Sequence, residues 1–183
     1  LNEHTMAVIV NSPKNPCGAV YSEETVKKLA SVLEAASAKF GHPIFLISDE
    51  PYREIVYGGA TIPFLPKYYK NTLVCYSWSK SLSLPGERIG YIAVSPLMEE
   101  AVNIYLAVCG AGRSLGYVCA PSLFQQVIAR CIDAKVDIEI YRENRDLLYD
   151  NLTAFFEKGI ALYASSISKA RIISASPLPI MGE

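Results

Sequence analysis

Short apolar runs alternate with amphipathic stretches along this chain, and each run stops in polar residues. Met6-Ala-Val-Ile-Val10 stops at Asn11-Ser12-Pro13, the pattern of a buried strand running into a loop. Ser22 is then placed to cap a helix whose first turn carries Glu23 and Glu24, with Val26, Leu29, Ala30, Leu33 and Ala36 at helical spacing until Gly41. Ile44-Phe-Leu-Ile47 runs into Ser48-Asp49-Glu50-Pro51-Tyr52, and Leu73-Val-Cys-Tyr76 runs into Ser77-Trp78-Ser79-Lys80. Ile89-Gly-Tyr-Ile-Ala-Val94 follows the turn Leu84-Pro85-Gly86 with too little chain for a crossover helix, so it is expected to lie antiparallel to the strand before it.

Further helices are expected from Pro96 to about Val108 and from Pro121 to about Cys131, each with a proline near its first turn. A longer one is expected from Ala134 to Phe156, where Val136, Ile140, Leu147, Leu148, Leu152 and Phe155 are interleaved with charges, as in a helix exposed on one side. From Gly159 to Glu183 the pattern dissolves and shows no period. The alternation of strands and helices argues for an α/β fold.

Composition narrows the class. The 183 residues hold 17 basic and 18 acidic side chains, a formal charge of -1, which excludes a basic face built to neutralise many phosphates. At 51% hydrophobic and 19% charged, the chain is too apolar for disorder and long enough for one globular core. No apolar run approaches the roughly 20 residues of a membrane-crossing helix. The start, Leu1-Asn2-Glu3-His4-Thr5, has no initiator Met and no signal-peptide pattern, so the chain reads as beginning inside a longer protein. Cys17, Cys75, Cys109, Cys119 and Cys131 are odd in number and form no Cys-x-x-Cys, and His4 and His42 are the only histidines. That usage argues against a disulfide framework or a metal site and for reduced thiols in the cytoplasm.

In an open α/β sheet, ligands sit outside the carboxyl ends of the strands. Three such ends stand out: Asn11 to Gly18, Asp49 to Tyr52, and Ser77 to Lys80, with Arg88 a turn later. Singly, each residue has an ordinary role: Asn15-Pro16 opens a turn, Asp49 caps, Lys80 is a surface lysine and Arg88 pairs with an acid. Together they place an acid, a phenol, a lysine, hydroxyls and an arginine at one edge, the parts needed to hold an anionic, electrophilic cofactor. A lysine amine such as that of Lys80 forms a Schiff base with an aldehyde, and a buried carboxylate such as Asp49 holds a pyridine nitrogen protonated, making the ring an electron sink. Ser77, Ser79 and Arg88 are donors of the kind that bind a phosphate dianion, while Tyr52 and Asn15 can both donate to a ring phenolate oxygen. There is no Gly-x-Gly-x-x-Gly after a strand and no Walker-type loop, which speaks against a nucleotide site.

Asn15-Pro16-Cys17-Gly18, Ser48-Asp49-Glu50-Pro51-Tyr52, and Ser77-Trp78-Ser79-Lys80-Ser81 through Gly86-Glu87-Arg88-Ile89-Gly90 occur in this order and at fitting spacing. With them the chain resembles the class I/II aminotransferases, pyridoxal-phosphate-dependent enzymes of fold type I, from about Val8 to Phe156. The resemblance implies an α/β fold with a mainly parallel sheet sandwiched by helices, present in part. Residues 1–132 would belong to the large cofactor-binding domain and 133–157 to a long helix leading toward a small domain. Residues 158–183 would be an atypical tail, either a truncated small domain or a stretch out of frame.

The resemblance further implies that Lys80 forms the Schiff base and shuttles the Cα proton, that Asp49 binds the pyridine nitrogen, and that Tyr52 and Asn15 bond the ring oxygen. Ser77, Ser79 and Arg88 would take the phosphate. The activity implied is ping-pong transfer of an amino group between an amino acid and a 2-oxo acid, in a parent protein that is a homodimer and meets neither nucleic acid nor membrane. The same motifs would serve a pyridoxal-phosphate-dependent carbon-sulfur lyase or a non-catalytic ligand-sensing domain. Arg113 reads as a helix-end or interface arginine and Trp78 as packing. The glycine-rich phosphate loop, stacking aromatic and carboxylate-binding arginine of the family are not assigned here, and Arg171 is not given the last role.

Overall fold

A computed structural model describes residues 1–157. The tail 158–183, with the expectations attached to it and to Arg171, lies outside the described residues. Strands β1 (Ala7–Asn11), β2 (Phe45–Asp49), β3 (Thr72–Ser77) and β4 (Gly90–Val94) form one sheet in the order β1-β2-β3-β4. The first two pairings are parallel and the third is antiparallel, as the short link before β4 requires. Helix α1 (Glu23–Phe40) connects β1 to β2. Its Ser22 cap accepts a hydrogen bond from the Thr25 amide at 3.2 Å, and its end is set by Gly41 at φ 75°, whose N–H reaches the Ser37 carbonyl at 2.9 Å.

The short helix α2 (Trp78–Ser81) follows β3, and α3 (Ala101–Ser114), α4 (Ser122–Cys131) and α5 (Glu139–Glu157) complete the described chain. Two helix starts differ from the sequence pattern. α3 begins at Ala101 instead of near Pro96, because Ser95 folds a turn through its hydroxyl and carbonyl to the amides of Leu97 and Met98, and Glu100 adopts φ 56°. α5 begins at Glu139 instead of Ala134, where the Asp137 carboxylate accepts the Glu139 amide at 3.0 Å.

Side chains alternate across the strands, and the two faces of the sheet fare differently. On one, Val10 and Leu46 pack against Val26, Ala30 and Leu33 of α1, with Ile44, Leu65 and Tyr69 in the same core. The Tyr69 hydroxyl is satisfied there by donating to the Ile44 carbonyl at 2.6 Å. On the other face, α3 lies over the β3–β4 end while Ile9 of β1 stays 70% exposed. Helices therefore stand on both sides of a mostly parallel sheet, with the cover complete on one side only. Among the described residues no helix is long and apolar enough to cross a membrane.

Candidate functional site

The parallel register sets Asn11, Asp49 and Cys75 side by side where β1 and β2 end, and β3 runs two residues further to Ser77. Asn11 is the hub. Its amide donates to the Asp49 carbonyl at 3.0 Å and to Asp49 Oδ2 at 3.1 Å, while its Oδ1 accepts the Asn15 backbone N–H at 2.7 Å. The turn that follows contains cis peptides at Ser12–Pro13 and Asn15–Pro16, and closes through Gly18, whose φ of 65° suits a residue without Cβ. Its product is an Asn15 side chain that donates Nδ2–H to the Tyr52 hydroxyl at 3.0 Å. From the third strand end, Lys80 in α2 places Nζ 5.8 Å from the centroid of the same Tyr52 ring.

Ser77 closes β3 and pairs with Gly90, Ser79 lies in α2, and Arg88 lies between, at φ 52° with Nη1 donating to the Pro85 carbonyl at 3.1 Å. β4 passes β3 so closely that a Cβ on Gly90 would stand 2.4 Å from the Tyr76 carbonyl oxygen, so glycine is required there. Tyr76, Trp78 and Tyr91 form a ring cluster with centroids 5.4 to 5.6 Å apart, which places Trp78 in packing. Arg113 is exposed in the last turn of α3.

Between the open sheet face and α3 lies a cavity of about 510 Å³, lined among others by Asp49, Cys75, Ser77, Ile92, Tyr105 and Cys109. That volume is within the range of small-molecule sites, roughly 300 to 1,000 Å³. Asp49 and Ser77 reach it, whereas Asn15, Tyr52, Ser79, Lys80 and Arg88 do not line it.

Burial chiefly, and then the charge of Glu50, pushes the Asp49 carboxyl above its ordinary range. The Cys75 thiol beside it is pushed up by burial and then by Asp49 and Glu50, which makes it an inert neighbour. Burial holds the Tyr76 phenol at about 12, against the opposing effect of its 2.7 Å hydrogen bond with Ser81. The Asp49 carboxylate takes only a neutral amide donor from Asn11, and among the described residues it forms no ion pair. A half-buried carboxylate of this kind, beside a cavity and without a cation, fits a protonated ring nitrogen. Lys80, the Asn15–Tyr52 pair and the Ser77, Ser79, Arg88 donors fit the rest of pyridoxal phosphate in kind.

Three participants were given no role in the sequence reading. Asn11 entered it only as the residue that ends a strand, yet its register with Asp49 makes it the link between the first two strand ends. Glu50, joined to Arg53 at 2.5 Å, was read only as part of the Ser48–Tyr52 run, and Arg53, one residue beyond that run, carried no signal.

The family profile described as "Aminotransferase class I and II" matches residues 1–170. A probable aspartate/prephenate aminotransferase from Aquifex aeolicus is 41% identical over 97 residues, which are 51% of this chain and 23% of that protein. The crystal structure of an amino transferase from Eubacterium rectale is 64% identical, with a TM-score of 0.81 over 84% of this chain and 39% of that one. That of a PLP-dependent aminotransferase from Streptococcus suis is 25% identical, with a TM-score of 0.58 over 86% of this chain and 37% of that one. The chain thus spans less than half the length of these relatives.

Proposed function

The chain belongs to the class I and II aminotransferases, and on that premise we propose that the protein it forms part of moves an amino group between an amino acid and a 2-oxo acid with pyridoxal phosphate. The observation that carries the reading is the meeting of three strand ends at Tyr52: Asn15 bonded to its hydroxyl at 3.0 Å, Lys80 Nζ 5.8 Å from its ring centroid, and Asp49 three residues before it at the end of β2. When bound, pyridoxal phosphate supplies a carbonyl carbon for amine exchange and an electron sink for the charge left at the substrate Cα.

The chain's own residues do the remainder. Lys80 Nζ would be the nucleophile that holds the cofactor and, once freed by the substrate amine, the base that takes the substrate Cα proton and passes it to the cofactor's carbonyl carbon two bonds away. Asp49 keeps the ring nitrogen protonated. Its desolvated carboxylate gains most from that cation, since burial without a partner is what disfavours its charge. Tyr52 and Asn15 hold the ring oxygen, and Ser77, Ser79 and Arg88 bind the phosphate. The amino group would wait on the bound cofactor between the two halves of the exchange, so the two substrates would visit in turn. Aspartate, which the Aquifex relative is named for, is the first donor to assay.

In this reading the parent protein is a cytoplasmic homodimer. The five free thiols of this chain suit a reducing compartment. Leu115, Tyr117 and Val118, 66 to 75% exposed between α3 and α4, form an apolar stretch that a partner subunit would cover.

Titration of the purified chain with pyridoxal phosphate tests the site. A visible absorbance band is expected that saturates with cofactor and is lost in Lys80→Ala while the far-ultraviolet spectrum is kept. An identical band in Lys80→Ala would overturn the assignment. With the parent protein, aspartate and a 2-oxo acid should yield a new amino acid, whereas pyruvate and ammonia formed from a sulfur-bearing amino acid such as cysteine without an acceptor would indicate a lyase.

A further inference from the structure

Directly behind the cofactor-facing end of β2 lies a charge with no part in the reaction. The Glu50 side chain belongs to the face opposite Asp49 and is 2% exposed. Its Oε1 accepts the Ser48 hydroxyl at 2.7 Å and its Oε2 accepts Arg53 Nη1 at 2.5 Å, while its backbone N–H donates to the Cys75 carbonyl of β3 at 2.9 Å. Arg53 closes the loop through its own N–H to the Glu50 carbonyl at 3.3 Å, and its guanidinium lies 5.6 Å from the Phe64 ring centroid. One carboxylate thus ties together the strand before the turn and the turn itself, and its backbone ties both to β3. A buried pair is weak evidence for stability, because desolvation offsets its Coulomb gain, but it fixes geometry when each oxygen is satisfied.

We propose that Glu50, held by Ser48 and Arg53, is a positioning residue that aims Asp49 and Tyr52 at the cofactor and sets the charge that Asp49 meets. The proposal rests on the reading of those two residues given above. Asp49 and Tyr52 flank Glu50 by one and two residues, so loosening Glu50 frees both at once. The groups around Asp49 are Asn11 from β1, Cys75 from β3, Tyr76, Tyr91, Tyr105 and Cys109 lining the same cavity from β3, β4 and α3, and Glu50, the residue that follows it. Of these, Glu50 is the one whose charge acts on Asp49, and its influence is upward.

The test uses the whole chain and two readouts. Carbon-13 NMR of the unliganded chain should show the Asp49 carboxyl titrating at lower pH in Glu50→Gln, a shift that a purely structural contact would not produce. Pyridoxal phosphate should bind Glu50→Gln and Arg53→Met each on the order of tenfold more weakly, the effect expected for loss of one hydrogen bond to a charged group. The double variant should bind no more weakly than either single one, since both remove the same tie. An unmoved Asp49 titration, or losses that multiply in the double variant, would overturn the proposal. If Glu50→Gln fails to fold, Ser48→Ala, which removes one bond and leaves the charge, should weaken cofactor binding by a smaller factor, and no weakening counts against the proposal. Absence of cofactor binding by the unsubstituted chain would overturn the functional reading instead, leaving the NMR titration to decide this one.

Discussion

Neighbouring residues of the same strands meet opposite fates in this sheet. On β1, Val10 is 9% exposed and Ile9 is 70% exposed. On β2, Leu46 and Ser48 are buried on the α1 side while Asp49 stands half-buried at the cavity on the other. Strand alternation separates the two tasks: the closed face holds the fold by apolar burial, and the open face presents polar groups where a ligand can reach them. Glu50 is the exception that joins them, a charge on the closed face that serves a group on the open one.

The largest expected contrast is between core residues and the open face. Leu33→Ala, at a site with no exposure, should cost about 2 to 5 kcal/mol in urea unfolding, enough to unfold a marginal domain, whereas Ile9→Ala should stay within about 0.5 kcal/mol. Equal costs would erase the distinction between the faces. At the edge where both faces meet, Gly90→Ala must push the β3–β4 pair apart, and a loss of about 1 to 3 kcal/mol in thermal unfolding is expected. An unchanged melting temperature would show that β4 sits further from β3 than described. Ser22→Ala removes the cap of the helix that covers the closed face and should cost about 1 kcal/mol, read by the same scan.

The smallest effect concerns pH and has an unusual sign. Because the folded-state pKa of Asp49 lies above its ordinary value of 3.8, the folded chain binds its proton more tightly than the unfolded chain does. Its contribution to stability is therefore greatest at low pH and declines as pH rises from that value through the folded one. Asp49→Asn should lack this decline and be at least as stable as the parent near neutrality, while losing cofactor affinity. Urea midpoints across the acid range check it, and a variant less stable at neutral pH would show that the carboxylate supports the fold after all.

Much of the fold was legible because its signals are local. The apolar runs located the four strands of the described residues to within a residue or two, Ser22 and Gly41 bounded α1, and the short Leu84–Gly86 link fixed the direction of β4. The starts of α3 and α5 were not legible, since they depend on a side chain folding back on its own backbone at Ser95 and at Asp137, which no periodicity records. The same division holds at the site. Asn15, Asp49, Tyr52 and Lys80 stood out as candidates because each lies in the polar stretch after an apolar run. Asn11 and Glu50 could not, because their roles come from pairing with residues 38 positions away and from the face to which alternation turns them.

The central claim, that these strand ends form a cofactor site organised around Lys80, is tested most directly by borohydride reduction of the chain in the presence of pyridoxal phosphate, followed by peptide mass mapping. The account predicts one dominant pyridoxyl label on the peptide containing Lys80, at a cofactor concentration that leaves exposed lysines such as Lys27 and Lys28 unlabelled. Label spread over those surface lysines, with none in excess on Lys80, would contradict it.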